Sequence, residues 1–479
     1  MSSLMVSISG VRGVVGETLT PEVVLRWGQA FGTYIKGGRV VVGRDTRVSG
    51  EMVKHSVHAG LLSAGCAIID LGVVTTPTAT LMIEELGADG GIVISASHNP
   101  IEWNALKFFN ADGQYLDAAE GRDLLAIAER GEFRRAKWHQ IREVELNGRS
   151  SDVHLTKVLG IVDVEAIRAR RFRVALDSCN GAGVEITARM LTELGCGLVR
   201  IHCTPDGLFP HDPEPSFENL QDLCKLVRAE RNVDVAFAQD PDADRLAVVN
   251  ETGDFIGEEQ TLALVADYVL SSQLPAPGSQ SRQGTGNGEQ GTANRWRPSV
   301  VINMSTSRVI EDIAARHGAA CERVAVGEVN VARRMRAIGA TIGGEGNGGV
   351  IDPRVHFGRD SLVGMALILE SMAKSGRKLS ELVGALPRYH MRKTKAQCPP
   401  EKLSAAIAEM RREGQASGAR ISELDGLRLD WADAWVHVRP SNTEPIVRVI
   451  GEADGEKRVE ALVGSFVARV RELGGGGTP

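Results

Sequence analysis

Arg39-Val40-Val41-Val42-Gly43-Arg44-Asp45 opens the segment that decides the fold. Three branched apolar residues in a row read as a buried strand. Gly-Arg-Asp then ends it in loop chemistry. A helical pattern over 52–64 and a second apolar run over 67–71 complete a unit of strand, polar loop, helix, strand. The same plan returns at Phe172-Arg-Val-Ala-Leu-Asp-Ser178, which leads into 181–194 and 197–201. It returns again at Ser299-Val-Val-Ile-Asn-Met-Ser305, which leads into 307–317 and 321–326. The starts lie about 130 residues apart, which predicts three domains on one α/β plan.

At 479 residues the chain is too long for a single core. The expected domains are 1–150, 151–254 and 255–373, with a fourth of different style over 374–479. Residues 275–298 are poor in apolar side chains and rich in Gly, Gln, Ser and Thr, so they read as a flexible surface insertion. A formal net charge of -6 argues against nucleic acid as a partner. The groups Arg168, Arg170, Arg171 and Arg333, Arg334, Arg336 read as solvated helix faces. Seven scattered cysteines without a Cys-x-x-Cys argue for a reducing cytoplasm. Residues 1–10 lack the basic start and apolar centre of a signal peptide. No run reaches the roughly 18 apolar residues of a membrane span, so no membrane partner is expected.

Four polar loops carry candidate chemistry. Gly90-Gly-Ile-Val-Ile-Ser95-Ala-Ser97-His98-Asn99-Pro100 places Ser97 just past a buried strand, where open α/β sheets present ligands. His98 flanks it and Lys107 follows, and a serine beside a cation suits a phosphoryl carrier. Asp240-Pro-Asp242-Ala-Asp244-Arg245 sets three carboxylates at alternate positions after a strand, which suits a hard cation such as Mg²⁺ or Ca²⁺. Gly343-Gly-Glu345-Gly-Asn347-Gly-Gly349 contains a Gly-x-Gly-x-x-Gly spacing, but Pro353 follows where a helix should open. It reads instead as a tight loop whose Glu345 and Asn347 hydrogen-bond a polyol. Arg439-Pro-Ser441-Asn442-Thr443-Glu-Pro445, with Arg448 beyond, offers the donors that a phosphate wants. Arg12, between glycines, is a further phosphate candidate, whereas Gly43-Arg44-Asp45-Thr46-Arg47 reads equally as a surface salt-bridge group.

Taken together and in order, the four loops resemble those of the α-D-phosphohexomutase superfamily. The resemblance covers nearly the whole chain. It implies three related α/β domains with a mixed sheet between helices, plus a smaller C-terminal α+β domain of TATA-binding-protein-like fold. It implies that Ser97 carries the phosphoryl group and that Asp240, Asp242 and Asp244 hold Mg²⁺ against it. Arg12, His98, Lys107 and Arg245 would stabilise charge or move protons. Glu345 and Asn347 would bind sugar hydroxyls, and Arg439, Ser441, Asn442, Thr443 and Arg448 the phosphate that does not react. The implied activity interconverts hexose 6-phosphate and 1-phosphate through a hexose 1,6-bisphosphate, which also serves as activator. Glucosamine phosphate is the expected substrate, with glucose or mannose phosphate as the alternative. A cytoplasmic monomer or homodimer is expected. Gly349 stands where many members carry His, which leaves the expected base role to Lys107 or another group. A sugar-phosphate phosphatase and a non-catalytic sugar-phosphate binder are the rival classes; release of free phosphate and absence of turnover would mark them.

Overall fold

The computed structural model describes residues 4–7, 10–273, 297–398, 400–440 and 446–474. Residues 275–296 of the expected insertion 275–298 and the predicted ligands Ser441, Asn442 and Thr443 lie outside the described residues. Among the described residues there are four sheets. In the first, Ala67–Val73, Arg39–Arg44 and Gly90–Ile94 run parallel, and Trp103–Asn110 returns antiparallel beside the last. In the second, Gly197–Ile201, Arg173–Asp177 and Val235–Gln239 are parallel and Leu246–Asn250 returns. In the third, Ala320–Val324, Ser299–Asn303 and Ile342–Glu345 are parallel and Gly349–Ile351 returns. The sheets are mixed, as expected, and the central strands are buried along their whole length, since helices cover both faces. Met5–Ser7, Gly10–Val14 and Val144–Leu146 extend the first sheet at its edges.

This shared topology explains where the chemistry sits. Each unit turns back at the carboxyl end of its third parallel strand, and the turns are 95–102, 240–245 and 346–348. Three of the four polar motifs occupy those equivalent turns. The fourth unit is a five-stranded antiparallel sheet with the helices Pro400–Ala416 and Glu456–Gly474. Its motif lies between the paired strands Ala434–Pro440 and Ile446–Ala453.

Two expectations are corrected. The glycine-rich stretch 343–349 is mostly strand, with Gly344 opposite Val350, and only 346–348 turns. Its glycines serve close approach: a Cβ on Gly343 would come within 2.7 Å of the Val301 carbonyl oxygen. Arg333 and Arg336 do not form a merely solvated face. Arg333 donates to Asp117 and, at 2.7 Å, to Glu120, and Arg336 donates to Glu84, so both tie the third unit to the first.

One apolar core runs through the first three units and includes Phe109, Val174, Leu246, Val300 and Leu362. The fourth unit has its own core. Polar contacts tie it to the third: Glu452 accepts the Arg308 backbone N–H at 2.9 Å, and Arg308 donates to the Ala432 carbonyl at 2.9 Å. The second and third units meet at their turns. Leu246 N–H donates to the Gly348 carbonyl at 3.0 Å. Gly348 has φ +83°, and a Cβ there would lie 2.3 Å from the Leu246 carbonyl oxygen. Gly348→Ala is therefore expected to cost more than the roughly 1 kcal/mol of an incompatible φ, because the turn must also retreat from its neighbour. Urea unfolding checks this; a midpoint equal to that of the parent chain would contradict the close approach.

Candidate active site

The Ser97 loop is held from beneath. Arg47, 1% exposed, donates to four carbonyls: Ser97 at 2.7 Å, Asn99 at 2.6 Å, Pro100 at 2.7 Å and Trp103 at 3.0 Å. The sequence left Arg47 as a surface ion-pair candidate; it is instead the buried clamp of the loop. Arg44, by contrast, is 15% exposed and pairs with half-exposed Glu51 at 2.6 Å. The clamp sets Ser97 at φ +49°, a left-handed conformation unusual for a non-glycine residue. Arg47→Met should leave those carbonyls without their donor. It is expected to lower turnover by about a hundredfold with little change in KM, since misplacing a reacting group by about 1 Å has that effect.

Ser97 is buried and donates from Oγ to Asp240 Oδ2 at 2.6 Å. His98 Nδ1 lies 3.2 Å from the same Oγ. Asp240, Asp242 and Asp244 are all buried, with carboxylate oxygens within 4.8 Å of one another. Lys107, reaching across from Trp103–Asn110, donates to Asp242 Oδ2 at 2.5 Å and lies 3.7 Å from Asp244 Oδ2. Thr76, at the start of the Thr75-capped helix Thr76–Glu85, donates to Asp242 from its side chain and to the Asp242 carbonyl from its N–H at 2.9 Å.

The electrostatics are those of a site built for positive charge. Burial, reinforced by Asp244 and Asp242, pushes the Asp240 carboxyl well above its ordinary range. Burial acts the same way on Asp242, but the Lys107 charge and the hydrogen bonds from Lys107 and Thr76 hold it low. Lys107 is raised despite its burial, by Asp242, Tyr115 and Asp244. The aspartates that favour its charged form are the same groups that would hold Mg²⁺. His98 is lowered well below the ordinary histidine value by burial and by the charges of Arg245 and Arg12, so it is neutral. Asp242 Oδ1 and Asp244 Oδ1 are buried without a hydrogen-bond partner. Buried carboxylate oxygens are rarely left so. An all-oxygen set of three aspartates with two such free oxygens fits Mg²⁺.

Above this floor opens a cleft of two lobes that share His98, Arg245, Glu345, Asn347 and Arg439, of about 460 Å³ and 410 Å³. Arg12, Ser97 and Lys107 line the inner lobe. Glu258, Glu259, Lys393, Lys395 and Arg448 line the outer one. Arg12 donates to Asn99 at 2.6 Å, and the Arg245 side chain lies 3.5 Å from Glu214. Asn347 lines both lobes, and its Oδ1 is buried without a hydrogen-bond partner. Glu345 is more committed: it accepts Asn303 Nδ2 at 2.7 Å and Arg359 at 3.2 Å.

Arg359 is the main residue that the sequence missed. Its guanidinium reaches Asp244 at 2.7 Å, Glu328 at 2.9 Å and Glu345 at 3.2 Å. Its stem fills the space beside Gly349, where a Cβ would lie 2.3 Å from Arg359 Cδ. That packing leaves no room for a side chain at 349. A signal was present: Gly358-Arg359-Asp360 repeats the tripeptide Gly43-Arg44-Asp45.

Four family models match the chain in order. Those described as phosphoglucomutase/phosphomannomutase alpha/beta/alpha domains I, II and III match residues 5–135, 152–253 and 258–389, and the C-terminal domain of the same family matches 392–469. A relative from Thermococcus kodakarensis, named phosphoglucomutase/phosphomannomutase, is 41% identical over 94% of both chains. One from Methanopyrus kandleri, named probable phosphoglucosamine mutase, is 36% identical over 97% of both. The crystal structure of a phosphoglucomutase/phosphomannomutase family protein from Burkholderia thailandensis superposes with a TM-score of 0.83 at 26% identity, covering 99% of each chain.

Proposed function

The chain belongs to the phosphoglucomutase/phosphomannomutase family and is a phosphohexomutase, and on that premise we propose that it interconverts glucosamine 6-phosphate and glucosamine 1-phosphate through a phosphoserine at Ser97. The observation that carries this reading is the Ser97 hydroxyl set on Asp240 within a buried, Lys107-paired aspartate trio at the floor of a cationic cleft.

Asp240, Asp242 and Asp244, with the Ser97 phosphate, would hold Mg²⁺, which neutralises charge on the transferring group when bound. Phosphoryl transfer depends mainly on positioning and charge neutralisation. In the first half-reaction the P–O bond to Ser97 Oγ breaks and a P–O bond to a sugar hydroxyl forms. The hydroxyl loses its proton and Oγ gains one. His98, neutral and 3.2 Å from Oγ, orients that oxygen. Lys107 and Arg12 neutralise charge around it. The product is the hexose 1,6-bisphosphate, whose other phosphate returns to Ser97 after the sugar reverses in the cleft. The distal phosphate is gripped by Arg439, Arg448 and the loop of Ser441, Asn442 and Thr443, while Asn347 and Glu345 meet the sugar hydroxyls.

Glu258 and Glu259 line the outer lobe but each already pairs with Lys393 at 3.2 Å, so the amino-sugar reading is supported by the name of the 36% identical relative. The second reading, glucose or mannose phosphate, is supported by the name of the 41% identical relative. We take 1–150, 151–254, 255–373 and 374–479 as the working units. Among the described residues, no helix is long and apolar enough to cross a membrane. We place the enzyme in the cytoplasm, as a monomer or homodimer whose partner is a sugar phosphate. A coupled assay with Mg²⁺ and a trace of bisphosphate, comparing glucosamine, glucose and mannose phosphates, tests the substrate. Equal or better use of glucose or mannose phosphate overturns the glucosamine assignment.

A further inference from the structure

A second cluster lies at the carboxyl end of the strand Arg173–Asp177, beneath the loop 202–214. His202 Nδ1 is 2.8 Å from Asp177 Oδ2. His211 Nε2 is 3.3 Å from Asp177 Oδ2 and 3.5 Å from Oδ1. His211 Nδ1 is 2.7 Å from the Asp212 carbonyl oxygen. A carbonyl only accepts, so Nδ1 carries the hydrogen. In a neutral ring, Nε2 would then aim a lone pair at a carboxylate. A proton on Nε2 turns that repulsion into a charge-assisted pair.

What this pair anchors is the loop that walls the Ser97 clamp. Gly207, at φ +72°, lies so close to the first unit that a Cβ would be 2.1 Å from the Thr46 carbonyl oxygen. The Arg47 guanidinium stands 4.8 Å from the Phe209 ring centroid. Asn180 donates to the Leu208 carbonyl at 2.8 Å, and its own carbonyl accepts Thr46 Oγ1 at 2.8 Å. Farther along, Glu214 faces Arg245 at the cleft. One residue, Pro210, separates Phe209, in contact with Arg47, from His211. The path is short: Asp177, His211, Phe209, Arg47, Ser97 carbonyl.

We propose that His211 is held as an imidazolium and acts as a positioning residue for the Ser97 loop. The inference rests on Ser97 being the phosphoryl carrier. Burial works against charge on His211, but the Asp177 hydrogen bond and charge and the Asp212 carbonyl raise its pKa above the ordinary histidine value. The charged or titratable groups around it are Asp177, Asp212, His202 and Asp222. A raised pKa means that the charged pair is complete below the ordinary histidine range and is lost as pH rises through the raised value. Turnover should therefore fall on an alkaline limb set by His211.

The test uses the full chain and three readouts. In histidine-selective NMR, the imidazole signal lost in His211→Gln should titrate above about 6.5, the unperturbed value. In hydrogen exchange at neutral pH, His211→Gln should speed exchange in residues 95–100. In turnover, the variant should lose about ten- to a hundredfold in kcat with KM little changed. Its pH profile should lack the alkaline limb, and His211→Lys should restore activity there. Titration at or below 6.5 overturns the proposal, as does unchanged exchange in 95–100 or a His211→Gln pH profile that overlays the parent's. If the parent shows no mutase turnover while the titration and exchange results hold, the mutase reading falls and the charge and anchoring role of His211 stand.

Discussion

Ser97→Ala is expected to lower mutase turnover by on the order of 10⁴-fold or more, the scale seen when a covalent catalyst loses its nucleophile. No other hydroxyl on the described cleft floor is set on the aspartate trio as Ser97 is, with Oγ 2.6 Å from Asp240. Thr76 also touches the trio, but its hydroxyl is spent on Asp242 beneath Lys107 and is buried. The variant should still fold, since removing one hydroxyl from a loop clamped by Arg47 leaves the clamp intact. Thermal unfolding should be within a few degrees of the parent. Steady-state turnover with bisphosphate present, beside that unfolding curve, checks both halves. Retention of more than a hundredth of parental turnover would mean that the phosphoryl group passes elsewhere.

Arg359→Met should act on both folding and activity. The guanidinium is the shared partner of Asp244, Glu328 and Glu345, which are all buried or nearly so. Removing one partner from a buried ionic group leaves uncompensated charge, and such changes destabilise by about 3–5 kcal/mol. Burial already raises the Glu328 carboxyl, opposed first by Arg359. Without Arg359 the acids are expected to take up protons or to rearrange, and Asp244 would lose its fixed position among the metal ligands. Mg²⁺ should then bind more weakly, with the loss eased at high Mg²⁺ because the cation replaces part of the missing charge. Denaturant unfolding with and without Mg²⁺ measures this. A variant with parental stability and Mg²⁺ dependence would remove Arg359 from the account.

What could be read from sequence follows from where the chemistry lies along the chain. Ser97, the three aspartates and Asn347 sit in short turns at equivalent places in three repeated units, so their residues are neighbours in sequence and their polarity breaks an apolar pattern. The three-unit α/β plan was legible for the same reason. Arg47, Thr76 and Arg359 were not, because each acts on a loop distant in sequence and gains its role from tertiary approach. The stretch 343–349 misread as a loop because glycine signals turns, whereas here it permits strands to lie against Val301 and Arg359. Arg333 looked solvated because its acidic partners, Asp117 and Glu120, belong to another unit. The pairing of Lys107 with Asp242 and Asp244 was not legible, because those aspartates belong to another unit.

The central claim is that Ser97 is the covalent carrier. The direct test is to incubate the purified chain with Mg²⁺ and a hexose 1,6-bisphosphate labelled in its phosphates, then map the label by peptide mass spectrometry. The account predicts label on Ser97 alone, discharged when glucosamine 1-phosphate is added, with the bisphosphate reformed and no free phosphate released in step. Label on another residue, or quantitative release of free phosphate without transfer to sugar, would contradict it.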